Sequence, residues 1–566
     1  MIKTITEQLK KSSEKAGISD PFIKLDHPED IKYGDFSSNI AMMHAKSLGV
    51  SPKVLAEKII EEFKKEIPEN VESVEIAGPG FINFKIADTY FANQIIEVSK
   101  DLENFGKIKL DDGKRIMVEY TDPNPFKIFH IGHLMANTIG ESISKIVEFS
   151  GAEVIRACYQ GDVGLHVAKT IWAVCKSEEY KAQKSFSIKF LGDMYVLGSE
   201  KYETDEIAKK EIIEINKKIF EKSDAEINKV YGAGRKLSLE YFDEIYEKLG
   251  TKFNNFFFES EVADDGVKIV KEFLKKGVFE ESQGAIVFPG EKYGEHTRVF
   301  INSQGLPTYE AKELGLTENK FKLYPDLSES IVITANEQNA YFKVILAVLK
   351  QIDTNMASKT KHISHGILRP KSGKMSSRKG NIVSAEDLIK EFETLVQDKI
   401  KDRDFDDIEK NKVLTEVAIA GLKYTILRQS IGGDIIYDPD KALSFEGDSG
   451  PYLQYAVVRA NTVISKAKDS KISEEIKTLP EKIDSLERLL VRFPEIIERA
   501  RLEYAPSHIV TYLTELSSAF NFYYANHQII NEEDPISSYR VLLTKVFAQV
   551  MQNGLWVLGI KVPGRM

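Results

Sequence analysis

Between residues 114 and 160 the chain reads strand, irregular turn, helix, strand. Ile116-Met117-Val118 is a short apolar run of strand type, Asp122-Pro123-Asn124-Pro125 interrupts it, and Met135, Ile139, Ile143 and Ile146 then recur at helical spacing. A second strand is expected over residues 153–159, with Gly161-Asp162-Val163-Gly164 turning after it. This is the opening unit of a doubly wound parallel sheet. His130 and His133, in His130-Ile131-Gly132-His133, fall at the strand-to-helix turn. Open α/β folds bind ligands at that edge of the sheet, and the free N–H groups of a helix start suit phosphate. The stretch is a place for a nucleotide.

At 566 residues the chain exceeds one ordinary core, so several folding units are expected. With 42% apolar and 29% charged residues and no apolar run near the roughly 20 residues of a membrane span, a soluble protein without a membrane partner is expected. The start has Ile2, Ile5 and Leu9 at helical spacing and no signal-peptide pattern, and Cys158 and Cys175 are the only cysteines. A disulfide framework and a cysteine zinc site are therefore not expected, no structural metal is assigned, and a cytoplasmic location follows. The net charge of −10 argues against a generally basic nucleic-acid binder such as a DNA-binding protein, but leaves room for local basic faces.

Residues 1–108 read as a small α+β unit, with strands near residues 74–76 and 81–86 and Gly78-Pro79-Gly80 between them. Residues 109–400 carry the nucleotide fold, with an inserted α+β subdomain at about 185–295, where Lys- and Glu-rich helical stretches break the strand-helix rhythm. Strand-like runs return at 297–301, 331–334 and 362–368. Residues 401–566 are helical in pattern, for example Leu486, Leu489, Leu490 and Phe493, and predict an all-α bundle. Tyr523 and Tyr524 are assigned to its core.

A second element bears on the chemistry. Lys371-Ser372-Gly373-Lys374-Met375-Ser376-Ser377-Arg378-Lys379-Gly380-Asn381 is a Gly- and Ser-rich stretch with four cations, just after a predicted strand. Alone, it fits a basic surface loop, and the histidines fit a surface or core pair. Together they match what attack on the α-phosphate of ATP requires: donors on the developing charge, and cations for the leaving pyrophosphate. Here the sequence resembles the class I aminoacyl-tRNA synthetases. Their HIGH signature corresponds to His130-Ile131-Gly132-His133 and their KMSKS signature to Lys374-Met375-Ser376-Ser377-Arg378, with Ser377 where the family usually has its second lysine.

Within that class the chain resembles the arginyl-tRNA synthetase family over nearly its whole length. The resemblance rests on Glu119-Tyr120-Thr121-Asp122-Pro123-Asn124, Gly34-Asp35-Phe36-Ser37-Ser38-Asn39, Gly78-Pro79-Gly80-Phe81-Ile82-Asn83-Phe84, Gly450-Pro451-Tyr452-Leu453-Gln454-Tyr455-Ala456 and the terminal Arg565-Met566. It implies a Rossmann-like class I catalytic core between an N-terminal α+β domain that meets the outer corner (elbow) of the tRNA and a C-terminal anticodon-binding bundle. It implies ATP-dependent activation of L-arginine to arginyl-adenylate and transfer to tRNA(Arg), with Mg2+ on the ATP phosphates. The first step is expected to need bound tRNA, and a monomer is expected.

By the same resemblance His130, His133 and Lys374 are catalytic, and Gly132, Ser376 and Ser377 join them in binding ATP. Glu119, Asn124, Tyr309, Glu313 and Gln338 would bind arginine, with Glu313 where the family more usually has Asp. Phe81, Asn83, Tyr452, Arg459 and Met566 would touch tRNA. A selective arginine pocket has a physical logic of its own, because a planar, permanently charged fork calls for carboxylates in bidentate reach and an aromatic or amide wall.

Overall fold

The computed structural model describes residues 1–28, 30–183, 185–371, 384–401 and 403–566. Lys374, Ser376 and Ser377, with their neighbours Arg378 and Lys379, lie outside the described residues. The chain divides into two compact units.

The larger unit comprises Glu103–Val463, Arg492–Phe522 and Phe547–Met566. At its centre is a parallel sheet of five strands, Arg115–Glu119, Glu153–Gln160, Asn255–Phe258, Leu327–Ala335 and Thr360–His365. In space their order is fifth, fourth, first, second, third. The order reverses between the first and fourth strands, paired in register through Ile331 with Val118 and Val332 with Glu119. A ligand crevice is expected beyond the carboxyl ends of those two strands. Their residues are apolar on both faces: Ile116, Met117, Val118, Ile331, Val332 and Ile333 are all buried, as a sheet covered by helices on both sides demands.

The Ile131–Phe149 helix covers this sheet with Met135, Ile139, Ile143 and Ile146 buried. Helices Leu165–Lys176, Ile188–Thr204, Glu206–Glu221 and Ala225–Leu249 follow the second strand, and Phe126, Val163, Ile171, Leu191, Ile212 and Val230 form their shared core. The expected insertion at 185–295 thus contains the third core strand, Asn255–Phe258, which pairs with the second through Tyr159 and Phe257. Beyond it, Glu280–Ser282, Ala285–Phe288 and Arg298–Ile301 make an antiparallel meander.

The smaller unit comprises Met1–Leu102, Ile464–Val491 and Tyr523–Val546. A three-stranded antiparallel sheet, Phe36–Ser38, Phe81–Ile86 and Val71–Ala77, packs Ile82, Phe84 and Ile86 against Ile5, Leu9, Ile59 and Phe63 of two helices. Asp35 accepts from the Ile86 N–H at 2.7 Å and from Arg488 at 2.8 Å, so a side chain far along the sequence completes this fold.

The C-terminal region is helical, with Gly450–Lys468, Ser485–Val491, Phe493–Glu503, Ser507–Asn526 and Ser537–Val557. Tyr523 is buried as expected, but Tyr524 is 43% exposed. Successive helical residues point about 100° apart, so only one of two adjacent tyrosines meets the core.

Candidate active site

The crevice is built first by the turn after Glu119. Thr121 (φ 82°), Asp122 (φ 46°) and Phe126 (φ 67°) occupy left-handed backbone without being glycine, a conformation costing on the order of 1–3 kcal/mol each. Groups from outside the turn hold it. Asn137 donates to the Thr121 hydroxyl (3.1 Å), the Tyr159 N–H to Asp122 (2.7 Å), and the Phe126 N–H to the Ser238 hydroxyl (2.9 Å). The strain is fixed where both histidines and the first acidic residue are presented.

His130 caps the helix. Its Nδ1 accepts from the Gly132 N–H (3.1 Å), and His133 Nδ1 accepts from the His130 N–H (3.2 Å), a reciprocal capping arrangement made by two imidazoles. The rings stack with centroids 3.6 Å apart. A β-carbon at residue 132 would sit 2.9 Å from Cε1 of His130, so glycine there makes room for the His130 ring itself. Burial lowers both imidazoles below the usual histidine range, His130 to about 4 and His133 well below, with Lys127 adding to the effect. Each ring is neutral, and since Nδ1 accepts, each keeps its proton on Nε2 as a donor.

The stretch carrying Lys374 enters after Lys371, whose ammonium pairs with Asp438 at 2.9 Å, and leaves at Ser384, which forms a β-bridge with His130. The next residue, Ala385, donates its N–H to the Phe129 carbonyl at 2.9 Å. Ser384 and Ala385, the first described residues after it, thus lie at the histidine turn.

The other half of the crevice is charged and dry. Glu119 ends the first strand and is buried, with Lys320 Nζ 2.8 Å from Oε2; both side chains are at most 2% exposed. Glu313, also buried, lies on the same Tyr309–Leu323 helix as Lys320. Burial pushes the Glu313 carboxyl up to about 7; Lys320 opposes that rise and Glu119 adds to it. The same environment raises Asp122 well above the usual carboxylate range, burial first and the Glu119 charge next. Alongside, Lys312 and Glu259 form a second buried pair at 2.7 Å. Asn124 packs against Gly161, where a β-carbon would fall 2.2 Å from its Oδ1 and 3.3 Å from Glu259 Oε1.

The remaining expected residues are more open. Tyr309 begins its helix 60% exposed, with Lys312 Nζ 5.0 Å from its ring centroid. Gln338 is exposed at the start of the Asn339–Ile352 helix, beyond the end of the fourth strand. The structure therefore gathers Glu119, Asp122 and Glu313 around Lys320, and sets Asn124 beside the Lys312–Glu259 pair. Sequence reasoning missed Lys320, Lys312 and Glu259. The signal was there: Tyr309, Lys312, Glu313, Leu316 and Lys320 follow helical spacing, so charged residues occupy the stripe an ordinary helix fills with apolar ones.

Of the residues expected to meet tRNA, Phe81 is 37% exposed, whereas Asn83 is buried and accepts from the Ser37 hydroxyl at 2.6 Å. Tyr452 and Arg459 lie on one helix and converge on Asn521, with Arg459 donating to it at 2.5 Å and Asn521 donating to the Tyr452 hydroxyl at 3.0 Å. Met566 is partly buried next to Arg565, which forks onto Glu409 at 2.6 and 2.7 Å. Among the described residues no three His, Cys, Asp or Glu side chains are grouped to hold a metal ion. Among them, too, no helix is long and apolar enough to cross a membrane.

Comparison with known proteins gives this geometry its class. Residues 97–438 match the model described as tRNA synthetases class I (R), catalytic domain; residues 1–86 match the arginyl tRNA synthetase N terminal domain, and residues 453–566 the DALR anticodon binding domain. The fold is that of the arginyl-tRNA synthetase of Thermus thermophilus (TM-score 0.80, 21% identity, all of both chains) and that of Plasmodium falciparum (TM-score 0.78, 20% identity, 100% and 99% of the chains). Proteins named arginine–tRNA ligase are similar in sequence over most of their length. That of Treponema denticola is 32% identical over 94% of this chain and 93% of its own, and that of Fusobacterium nucleatum 31% over 94% of each. The chain belongs to the arginyl-tRNA synthetase family of class I aminoacyl-tRNA synthetases.

Proposed function

We infer that this chain is an arginine–tRNA ligase, which joins L-arginine to the 3′ end of tRNA(Arg) with cleavage of ATP to AMP and pyrophosphate. The observation that carries the substrate choice is the buried acidic group of Glu119, Asp122 and Glu313, which holds more carboxylates than its one ammonium, Lys320, can match. A cationic side chain entering there supplies the missing charge, and a guanidinium does so permanently. Glu119 and Glu313 take the guanidinium, Asn124 and Gln338 the polar atoms of the amino acid, and Tyr309 walls the mouth of the pocket.

In the first step a carboxylate oxygen of arginine attacks the α-phosphorus of ATP, the bond to the bridging oxygen breaks, and pyrophosphate leaves. The neutral Nε2–H groups of His130 and His133 donate to phosphate oxygens as charge builds there, and their neutrality lets them act without a protonation step. Lys374 supplies positive charge to the leaving pyrophosphate, with Ser376 and Ser377 beside it as polar contacts. Mg2+ travels with the ATP phosphates. In the second step a ribose hydroxyl of the tRNA attacks the adenylate carbonyl and AMP departs. Phe81 and Asn83 serve the elbow of the tRNA, and Tyr452, Arg459 and Met566 its anticodon arm, where unpaired bases are read by stacking and edge contacts. The enzyme works in the cytoplasm and as a monomer, and sedimentation of the purified protein checks its oligomeric state.

The test is pyrophosphate exchange with each amino acid, with and without total tRNA. Exchange with arginine alone, dependent on tRNA, is the expected result; exchange with another amino acid and none with arginine overturns the reading.

A further inference from the structure

Lys320 is the most completely buried lysine near the site, at about 1% exposure, and its ammonium meets Glu119 instead of water. Lysine is almost never fully buried unless paired, and an apolar residue of like volume would fill the space at lower desolvation cost. It stands seven residues after Glu313 on one helix, two turns along the same face. Its surroundings are unequal. The Lys312–Glu259 pair is one cation to one anion, whereas Lys320 faces Glu119, Asp122 and Glu313.

We propose that Lys320 is a positioning residue of the amino-acid pocket, holding the Glu119 carboxylate and dividing the acidic charge between Glu119 and Glu313 so that one substrate guanidinium completes it. The proposal rests on the arginine–tRNA ligase reading and extends it to a residue outside the substrate contacts. Without Lys320, two buried carboxylates face each other. Like charges in a dry site hold a shared proton, which an entering guanidinium then has to displace. With Lys320 in place, its ammonium holds the Glu119 carboxylate at 2.8 Å, so that Glu119 and Glu313 together present an oriented pair to the guanidinium.

The groups around Glu313 come from every side: Lys320 on its own helix, Glu119 on the first strand, Asp122 on the strained turn, Tyr341 on the Asn339–Ile352 helix, Glu259 on the Glu259–Lys275 helix, and Tyr159 on the second strand. Of these only Lys320 is a cation. Its removal therefore moves Glu313 further up, and the loss of arginine binding grows as the pH falls.

The experiment is tRNA-dependent pyrophosphate exchange at pH 6.5 and 8.5 for the wild type, Lys320→Gln and Lys320→Arg, with KM for arginine and for ATP measured separately. For Lys320→Gln the arginine KM is expected to rise at least about tenfold at pH 6.5 and no more than about threefold at pH 8.5, with the ATP KM within twofold at both. Lys320→Arg, which keeps the charge, is expected to stay near the wild type. A rise in both KM values that ignores pH, or no rise at all, overturns the proposal. Should Lys320→Gln fail to fold, Glu119→Gln/Lys320→Met, which leaves neither partner of the pair charged, is compared with Glu119→Gln. A positioning role acting through Glu119 puts the double variant within about threefold of the single one, and multiplicative losses overturn it. A wild type that exchanges with no arginine defeats the ligase reading itself; an active wild type with an indifferent Lys320 defeats only this inference.

Discussion

The two halves of the crevice solve opposite electrostatic problems. The histidine turn must receive a polyanion, and it does so without net charge: His130 and His133 are neutral, their protons fixed on Nε2 by backbone N–H groups that occupy Nδ1. The acidic pocket must receive a cation, and it does so with charges buried at large desolvation cost, two of them paired within 2.8 Å by lysines. The first half is local, made by four consecutive residues and the cap they form. The second is assembled from two helices, a strand end and a turn scattered from Glu119 to Lys320. A local site tolerates change outside it, whereas a pocket of interlocked charges does not, and variants can test that difference.

The largest effect is expected at the pocket. Glu313→Gln leaves a substrate guanidinium short of its carboxylate in a dry site, at a cost of several kcal/mol, so kcat/KM for arginine should fall by about a thousandfold or more. ATP binding, measured by isothermal titration without arginine, should be unaltered. If ATP affinity falls with it, the two halves are not separable and the comparison fails.

Next comes the support of the pocket. Lys312→Met strands Glu259 as an unpaired buried charge and should destabilise the fold by roughly 3–5 kcal/mol. Lys312→Met/Glu259→Gln, with both charges gone, should regain most of it in urea denaturation. Equal losses in the single and double variants would show that packing, and not charge pairing, is what the lysine supplies.

The histidine turn should separate function from stability cleanly. His130→Asn keeps a side-chain acceptor at the helix cap but loses the Nε2–H donor, so kcat should drop about 10²- to 10³-fold while the thermal midpoint stays near the wild type. His130→Ala removes the cap as well and should cost about 1 kcal/mol of stability besides. A large stability loss in His130→Asn would mean that ring stacking with His133, at 3.6 Å, holds the turn, and not the cap.

What the sequence disclosed divides along the same line. The parallel sheet, the helix after His130 and the helical C-terminal region were legible because apolar spacing repeats within each element. Contiguous motifs were legible for the same reason, and Glu119 and Asn124 lie just upstream of one. The lysines were harder to read: the charged stripe of Lys312 and Lys320 shows in the spacing, but their burial comes only from the packing of Tyr309–Leu323 against the Glu259–Lys275 helix and the core sheet. The third core strand hid inside a charged stretch for a related reason. Asn255-Phe256-Phe257-Phe258 is four residues long, and its edge position left no alternation to detect. Asn83 differs in kind, since a residue expected at a tRNA surface is buried and accepts a hydrogen bond from Ser37.

The smallest effect is a pH dependence in which the two halves part company. Burial holds the Glu313 carboxyl near 7, while the histidines sit near 4 or lower. Arginine binds the ionised carboxylate, so below that value a proton must leave as the guanidinium enters. Between pH 7.5 and 6.5 the ionised fraction falls about threefold, and the arginine KM should rise by about the same factor. The imidazoles carry no charge anywhere in that window, so the ATP KM should stay level. Stability follows the same shifts with opposite signs. The raised Glu313 adds stability that is complete below the unfolded carboxyl value and is lost as the pH rises through 7, whereas the lowered histidines add stability present above 6.5 and lost as the pH falls toward 4. An arginine KM that is flat from pH 6.5 to 7.5 would mean that Glu313 is ionised before the substrate arrives, and that Lys320 serves it as fully as it serves Glu119.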